Sequence, residues 1–294
     1  MPFDIASAAA FMAAHARLLD RRRFAVLLDE EGPERIFAAV EAYANEDGGC
    51  GWGLEPDLRS PESQPGGAFH AFEAFADAAP ASAPGARRLC DWLSSVTRPD
   101  GGLPFARPLT VPAGSAPFWA GADPDESSLQ ITAVVAAAAH RVAAYDPAVA
   151  EHTWLKTATG YCLREVEALQ EAPSPMSLAF AVQLLDAAAE TEPRAAELLE
   201  RLGAFVPGDG MLHVAGGAED EFMRPLDFAP LPGPARSLLS SEAVAADLER
   251  LAGGQEDDGG WTVDFASYSP AASLEWRGYA TVRALALLRR NGML

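Results

Sequence analysis

The chain has 294 residues, a formal net charge of −20 and 49% hydrophobic residues. So acidic a chain lacks the basic face that nucleic acid or an anionic membrane surface requires, so neither is expected as a partner. Its three cysteines, Cys50, Cys90 and Cys162, are odd in number and far apart, which argues for a reducing compartment and against a disulfide framework. No apolar run is long enough to span a bilayer, and Asp4 stands where a secretory signal would be basic, so a cytoplasmic protein without a transmembrane segment is expected.

In chain order, residues 3–27 read as one or two helices, with Ala8, Phe11, Met12, His15 and Leu18 at helical spacing. A helix over 34–43 runs into Asn45-Glu46-Asp47-Gly48-Gly49-Cys50-Gly51-Trp52. The polar loop 53–64 follows, with Glu55, Asp57 and Arg59, and Pro65 suits the first turn of a helix over 66–79 that carries Phe69, Phe72 and Phe75. A helix over 86–96 leads to Arg98-Pro99-Asp100-Gly101-Gly102-Leu103-Pro104-Phe105. The Pro/Gly-rich loop 103–124, with Phe118 and Trp119, is long for a compact domain. An Ala-rich helix over 127–145, apolar nearly all round, should be buried on both sides. Helices over 147–168, 175–189 and 193–205 precede a degraded turn, Pro207-Gly208-Asp209-Gly210-Met211. The long loop 207–234 holds His213, Arg224 and Asp227. A helix over 241–251 ends at Gln255-Glu256-Asp257-Asp258-Gly259-Gly260-Trp261, and the last helix, 272–290, starts with Glu275, Trp276 and Arg277. That is about ten to twelve helices and no strand.

The recurring turn organises the chain. Its acidic residue stands at Asp47, Asp100, Asp209 and Asp258, at intervals of 53, 109 and 49 residues, the middle one close to two periods. Glycines admit positive φ or close backbone approach, the aspartate bonds turn amides, and Trp261 plugs apolar surface beside the turn. Helices after a turn are more apolar or aromatic and those before it more amphipathic, as inner and outer rings of a closed α/α barrel would be. The expected fold is therefore all-α: a single-domain α/α toroid over residues 1–294, of about five to six helical hairpins.

The Gln-x-x-Asp-Gly-Gly-Trp text on a helical period of about fifty residues resembles the terpenoid cyclase and protein prenyltransferase superfamily, squalene–hopene cyclases in particular. It also looks like a bacterial group of single-toroid, prenyltransferase-like proteins. The zinc ligands of protein prenyltransferases have no counterpart: no Cys stands two residues after an Asp, and the histidines form no close pair. The resemblance to class II cyclases is better, because Asp123-Pro124-Asp125-Glu126-Ser127 is similar to their Asp-x-Asp-Asp-Thr/Ser motif. It implies an isoprenoid-handling, acid-initiated cyclase or isomerase in which Asp125 delivers the proton and Asp123 and Glu126 support it. Such an acid belongs in an apolar cavity, and a carbocation formed there would need aromatic faces, for which Phe69, Phe72, Phe118, Trp119 and Trp276 are candidates.

The same acidic residues are also what a helix N-terminus favours. Glu55, Asp57, Arg224, Asp227, Glu275 and Arg277 are candidates to converge at the mouth of the barrel; any one Arg–carboxylate pair would more simply tie loops down, whereas Glu275 and Arg277, were both to face inward, would need partners as buried charges. Two other functions stay open: a non-catalytic binding or scaffold toroid, and a carboxylate-based enzyme acting on a polar substrate such as a sugar, using a pair such as Glu55 and Asp57. A small apolar isoprenoid is the leading substrate expected. No metal site or cofactor is expected, with Mg2+ entering only alongside a diphosphate substrate.

Overall fold

Proline and serine mark where the main helices begin. The computed structural model describes residues 2–294. In it α1 (Ile5–His15) is capped by Asp4, and α2 (Leu18–Leu27) and α3 (Glu34–Val40) follow. Then come α4 (Pro65–Asp77), α5 (Ala86–Val96), the single turn α6 (Pro117–Ala120) and α7 (Leu129–Ala143), capped by the Ser128 side chain. The stretch expected as one helix from 147 divides into α8 (Pro147–Ala150) and α9 (Thr153–Ala168), because the Asp146 and His152 side chains each cap a new start. The series continues with α10 (Pro175–Ala187), α11 (Ala195–Gly203), the short α12 (Pro225–Phe228), α13 (Ser241–Ala252) and α14 (Pro270–Arg290). Pro opens α4, α10, α12 and α14, where its missing N–H costs nothing.

These fourteen helices make the described residues all-α, with one exception. Strands β1 (Leu212–His213) and β2 (Phe222–Met223) pair antiparallel in the loop before α12, where no strand is expected from sequence. Two residues per strand are too few to write an alternating pattern. No helix among the described residues is long and apolar enough to cross a membrane.

Packing proceeds from helix to helix: α4 on α7, α7 on α10, α10 on α12, α12 on α13, α13 on α14, α14 on α2 and α2 on α4. The Ala-rich middle of α7, Ala133 to Ala139, is buried without a break, as its composition requires. Small side chains there let α4, α9 and α10 approach together.

The repeated turns seat each hairpin on the next. In all four, the aspartate Oδ1 accepts the N–H two residues on: Asp47 from Gly49, Asp100 from Gly102 and Asp209 from Met211, each at 3.0 Å, and Asp258 from Gly260 at 3.1 Å. The glycine after it has φ between +68° and +96°, a region costly for any residue with a Cβ. In the first two the turn presses on a helix further along. A Cβ on Gly49 would meet Trp92 of α5 at 2.5 Å, and one on Gly102 would meet Tyr161 of α9 at 2.8 Å. The fourth turn rests on the first helix: Cβ atoms on Gly259 and Gly260 would meet Ser7 O at 2.2 Å and the Phe11 ring at 2.8 Å. Gln255 adds two hydrogen bonds to the backbone of Asp4.

Trp261 is buried, with its indole N–H donating to Leu251 O at 2.8 Å and Phe3 edge-on at 6.2 Å. Cys50 and Leu103 hold the same position in the first two turns and are also buried. Trp52, two residues later, is 59% exposed and bonds Asn45 instead. Trp261→Ala is expected to lower the unfolding free energy by about 3–5 kcal/mol. Urea denaturation checks this, and Trp52→Ala should cost under about 1 kcal/mol.

Candidate functional site

Helix α4 reads Pro-Gly-Gly-Ala-Phe-His-Ala-Phe-Glu-Ala-Phe-Ala-Asp, so its only polar side chains are His70, Glu73 and Asp77. Spacings of three and four place them on one face. Facing them, α14 offers Trp276, Tyr279 and Arg283 at the same spacing. The two rows meet. His70 Nδ1 lies 2.8 Å from Glu73 Oε2 and its Nε2 2.7 Å from Glu55 Oε2, while the Tyr279 hydroxyl donates to Glu73 Oε1 at 2.8 Å. Glu55 Oε1 accepts the Asp57 N–H at 3.1 Å, and the Asp57 carboxylate accepts the Trp276 indole N–H at 2.7 Å and the Tyr268 N–H at 3.0 Å. Trp276 and Tyr279 stand edge-on to the His70 ring.

Charge balance decides the state of this group. Burial by itself would lower the His70 pKa, but hydrogen bonds to Glu55 and Glu73 outweigh it and raise the imidazole to about 9. His70 is therefore an imidazolium at neutral pH, donating from both nitrogens. Burial works against ionised Glu73, yet the His70 hydrogen bond and charge, Arg23 and Tyr279 hold its pKa below the usual value. Burial pushes Tyr279 well up, reinforced by the charge of Glu73, so the phenol keeps its proton. Asp57 is raised, first by burial.

Further charge surrounds this centre. Arg23 of α2 bonds Asp77 at 2.8 Å and sits 5.5 Å from the Tyr279 ring centroid. Arg283 bonds Asp227 of α12 at 2.7 Å, and Arg141 of α7 donates to Gln183 of α10 at 2.9 Å. Polar groups from six helices thus gather in one partly accessible region, the recess, where the Glu73 side chain is 16% and that of Arg283 40% accessible. Two shallow grooves elsewhere, along α13 and after α9, hold no such cluster. No group of three or more His, Cys, Asp or Glu among the described residues is arranged to hold a metal.

The residues expected from sequence separate into three places. Glu55, Asp57 and Trp276 belong to the cluster. Phe69 packs beside His70 at 4.7 Å between ring centroids, Asp227 pairs with Arg283, and Arg224 pairs with Asp264 at 3.2 Å. Trp119 covers the start of α4 above Gly66 and stacks on Phe105 at 4.6 Å; Phe118 beside it is 48% exposed.

Others need correction. Phe72 faces no cavity: it is fully buried, stacked on Trp154 in the core. Glu275 pairs with Arg59 at 2.6 Å, whereas Arg277 turns away to Asp258 of the fourth turn and lies over Phe11. Two residues apart on a helix is about 200°, so the two cannot face inward together.

The expectation of an apolar cavity around Asp125 is also overturned. Asp123, Asp125 and Glu126 are exposed; the Asp125 side chain is 80% accessible and pairs with Arg98 at 3.0 Å. Asp123 Oδ1 accepts the Asp125 N–H, and the Ser127 hydroxyl donates to Asp100 at 2.7 Å as Ser63 does to Asp47. The segment is a turn clamp leading into the Ser128 cap of α7.

His70, Glu73, Tyr279, Arg141 and Arg283 are not picked out from sequence, although the His70–Glu73–Asp77 spacing on an otherwise apolar helix was the available signal. No model of a known protein family and no curated protein matches the chain.

Two outcomes follow from this geometry. Asp125→Asn should move the thermal midpoint by less than about 3 °C in calorimetry, since an exposed pair is worth ~0–1 kcal/mol. For His70, the folded pKa of about 9 exceeds the ordinary 6.5, so its stabilisation is complete below pH 6.5 and is lost as pH rises through 9. Urea titrations at pH 6.5 and pH 9.5 should show a loss on the order of 3 kcal/mol that His70→Gln lacks.

Proposed function

We propose that the chain is a single-domain α/α toroid of about five to six hairpins, with the terpenoid cyclase and prenyltransferase architecture its turns resemble. In support, the fourth turn is seated on α1, and α14 packs on α2. We further propose that the recess is the active site of an enzyme acting on a polar small molecule, such as a sugar, through Glu73. The observation that carries this reading is Glu73 itself: a carboxylate with accessible surface, held ionised by His70, Tyr279 and Arg23.

In this reading Glu73 acts as base or nucleophile toward the substrate. His70, with both N–H groups committed to Glu73 and Glu55, is a fixed positive charge behind it, preorganised rather than recruited during reaction. The Tyr279 phenol, protonated and 2.8 Å from Glu73, is the donor for oxygen charge developing beside that carboxylate.

An isoprenoid substrate is the second reading. It is favoured by the aromatic row at the other end of the recess, where Phe105, Phe118 and Trp119 pack in sequence and Phe118 meets Tyr268 at 5.6 Å. A proton donor for that chemistry would have to come from the recess rather than from Asp125.

Both readings are tested by one assay: the protein is incubated with a panel of glycosides, uronides and geranylgeranyl diphosphate, and products are followed by NMR. Turnover of a polar member is expected, with Glu73→Gln and Tyr279→Phe each lowering kcat by about 10²–10⁴ at unchanged helix content. Turnover indifferent to both substitutions removes Glu73 from the reaction, and conversion of the diphosphate alone selects the isoprenoid reading.

A further inference from the structure

We infer that Arg141, linked through Gln183 and Asp227 to Arg283, receives a small oxyanion, a carboxylate or phosphate group, on the molecule that enters the recess. This rests on the reading of the recess as a substrate site and names the group by which the substrate is held.

The neighbouring interior arginines are matched. Arg17 has Asp20, Arg23 has Asp77 and Arg283 has Asp227, each within 2.8 Å. Arg141 has no carboxylate within 4 Å among the described residues; its one hydrogen bond goes to the neutral Gln183 Oε1. Arg236 also lacks a carboxylate, but three protein oxygens, from Leu231, Pro230 and Asn291, fill its donors.

A guanidinium carries five N–H groups, so Arg141 leaves most of its fork unused. Those groups are not sealed, in contrast to the Arg277 Nε, which is buried without a partner. Burial lowers the Arg141 pKa, the charge of Arg290 adds to this, and Glu73 and Asp186 oppose it only in part. A cation in that position is under-compensated, and an anion supplied from outside would complete it.

The surroundings fit such a guest. Gln183 bonds Arg141 through its oxygen and the Asp227 carbonyl through its nitrogen at 2.7 Å, and the Asp227 carboxylate holds Arg283. Gln183 and Asp227 therefore connect two arginines, neither of which is fully buried. A planar fork matches the paired oxygens of a carboxylate or phosphate, which a lysine in the same place would not.

The test is calorimetric titration of the intact protein with sodium phosphate and, separately, sodium malonate. One of them should bind at millimolar concentration, and which one assigns the anion. Arg141→Met should weaken it by about ten-fold or more and Arg141→Lys by less, with Arg35→Met, an exposed position carrying the same charge change, unaffected. Should Arg141→Met lose its helix content, Arg141→Lys decides. Failure of both anions to bind, unaltered affinity in the Arg141 variants, or equal loss in Arg35→Met overturns the assignment. Binding is read without turnover and Glu73→Gln should retain it, so failure of this assignment and failure of Glu73 as the reacting group are seen in different variants.

Discussion

Everything in the recess depends on a backbone contact that only glycine allows. At Gly259 the chain has φ +92° and lies so close to the α1 backbone that a Cβ would stand 2.2 Å from Ser7 O. Gly48 and Gly101 make the equivalent approaches to Arg88 and Thr157. Because hydrogen bonds join each such turn to the later helix α4, α7 or α14 or to its cap, its seating sets the position of those helices. Thr132 and Thr281 show the coupling: their hydroxyls accept the N–H of the turn residues Leu103 and Trp261 while donating to the carbonyls of Ser128 and Arg277 in their own helices. A turn displaced by an ångström would displace the polar row below it. The third turn, with one glycine fewer, leads instead to the hairpin and the four-residue α12, and there Asp227 takes up Arg283.

The energetics of the interior charges bear on the proposed site. Arg17, Asp20, Arg23, Asp77 and Arg290 form a run of paired charges in the same region as His70 and Glu73. Burial works against the charge on Arg23, and Asp77, Glu73 and Asp20 more than offset it. Replacing buried ion pairs by apolar groups of similar volume is often neutral or stabilising. The concentration of these charges where α2, α4, α7, α10, α12 and α14 meet is what a binding or reacting site requires.

The helical class, the turn positions and the burial of α7 were legible because glycine, proline and periodicity act locally. The site was legible in part. Glu55 and Asp57 stand out as charges in a loop, but their partners His70 and Trp276 lie 15 and 219 residues away, and nothing in the local pattern joins them. Asp123–Ser127 misled for the opposite reason. A turn clamp, a helix cap and an acid motif draw on the same residue types, and only exposure separates them. Arg141 could not be singled out, because an arginine in the last turn of a helix is ordinary; what sets it apart is the absence of a carboxylate across the recess.

Helices α4, α10 and α14 also change character along their length, and that bears on which substrate reading is stronger. From its start α4 runs Phe69 and His70, Glu73, Asp77; α14 runs Trp276, Tyr279, Arg283; α10 runs Met176, Phe180, Gln183, Asp186. At 1.5 Å per residue the change from aromatic or apolar to charged takes about 10 Å on each helix. The recess therefore has an end beside the turns where aromatic rings surround Glu55, Asp57 and His70, and an end beside Arg141 and Arg283 without such rings. A pure hydrocarbon filling it would exclude water from groups that then lack partners, at a cost of about 1–3 kcal/mol for each. A molecule with a ring or chain at one end and an oxygen-rich or anionic group at the other meets both surfaces without that penalty. The gradient thus weighs against a wholly apolar substrate even where the aromatic residues are placed to receive one.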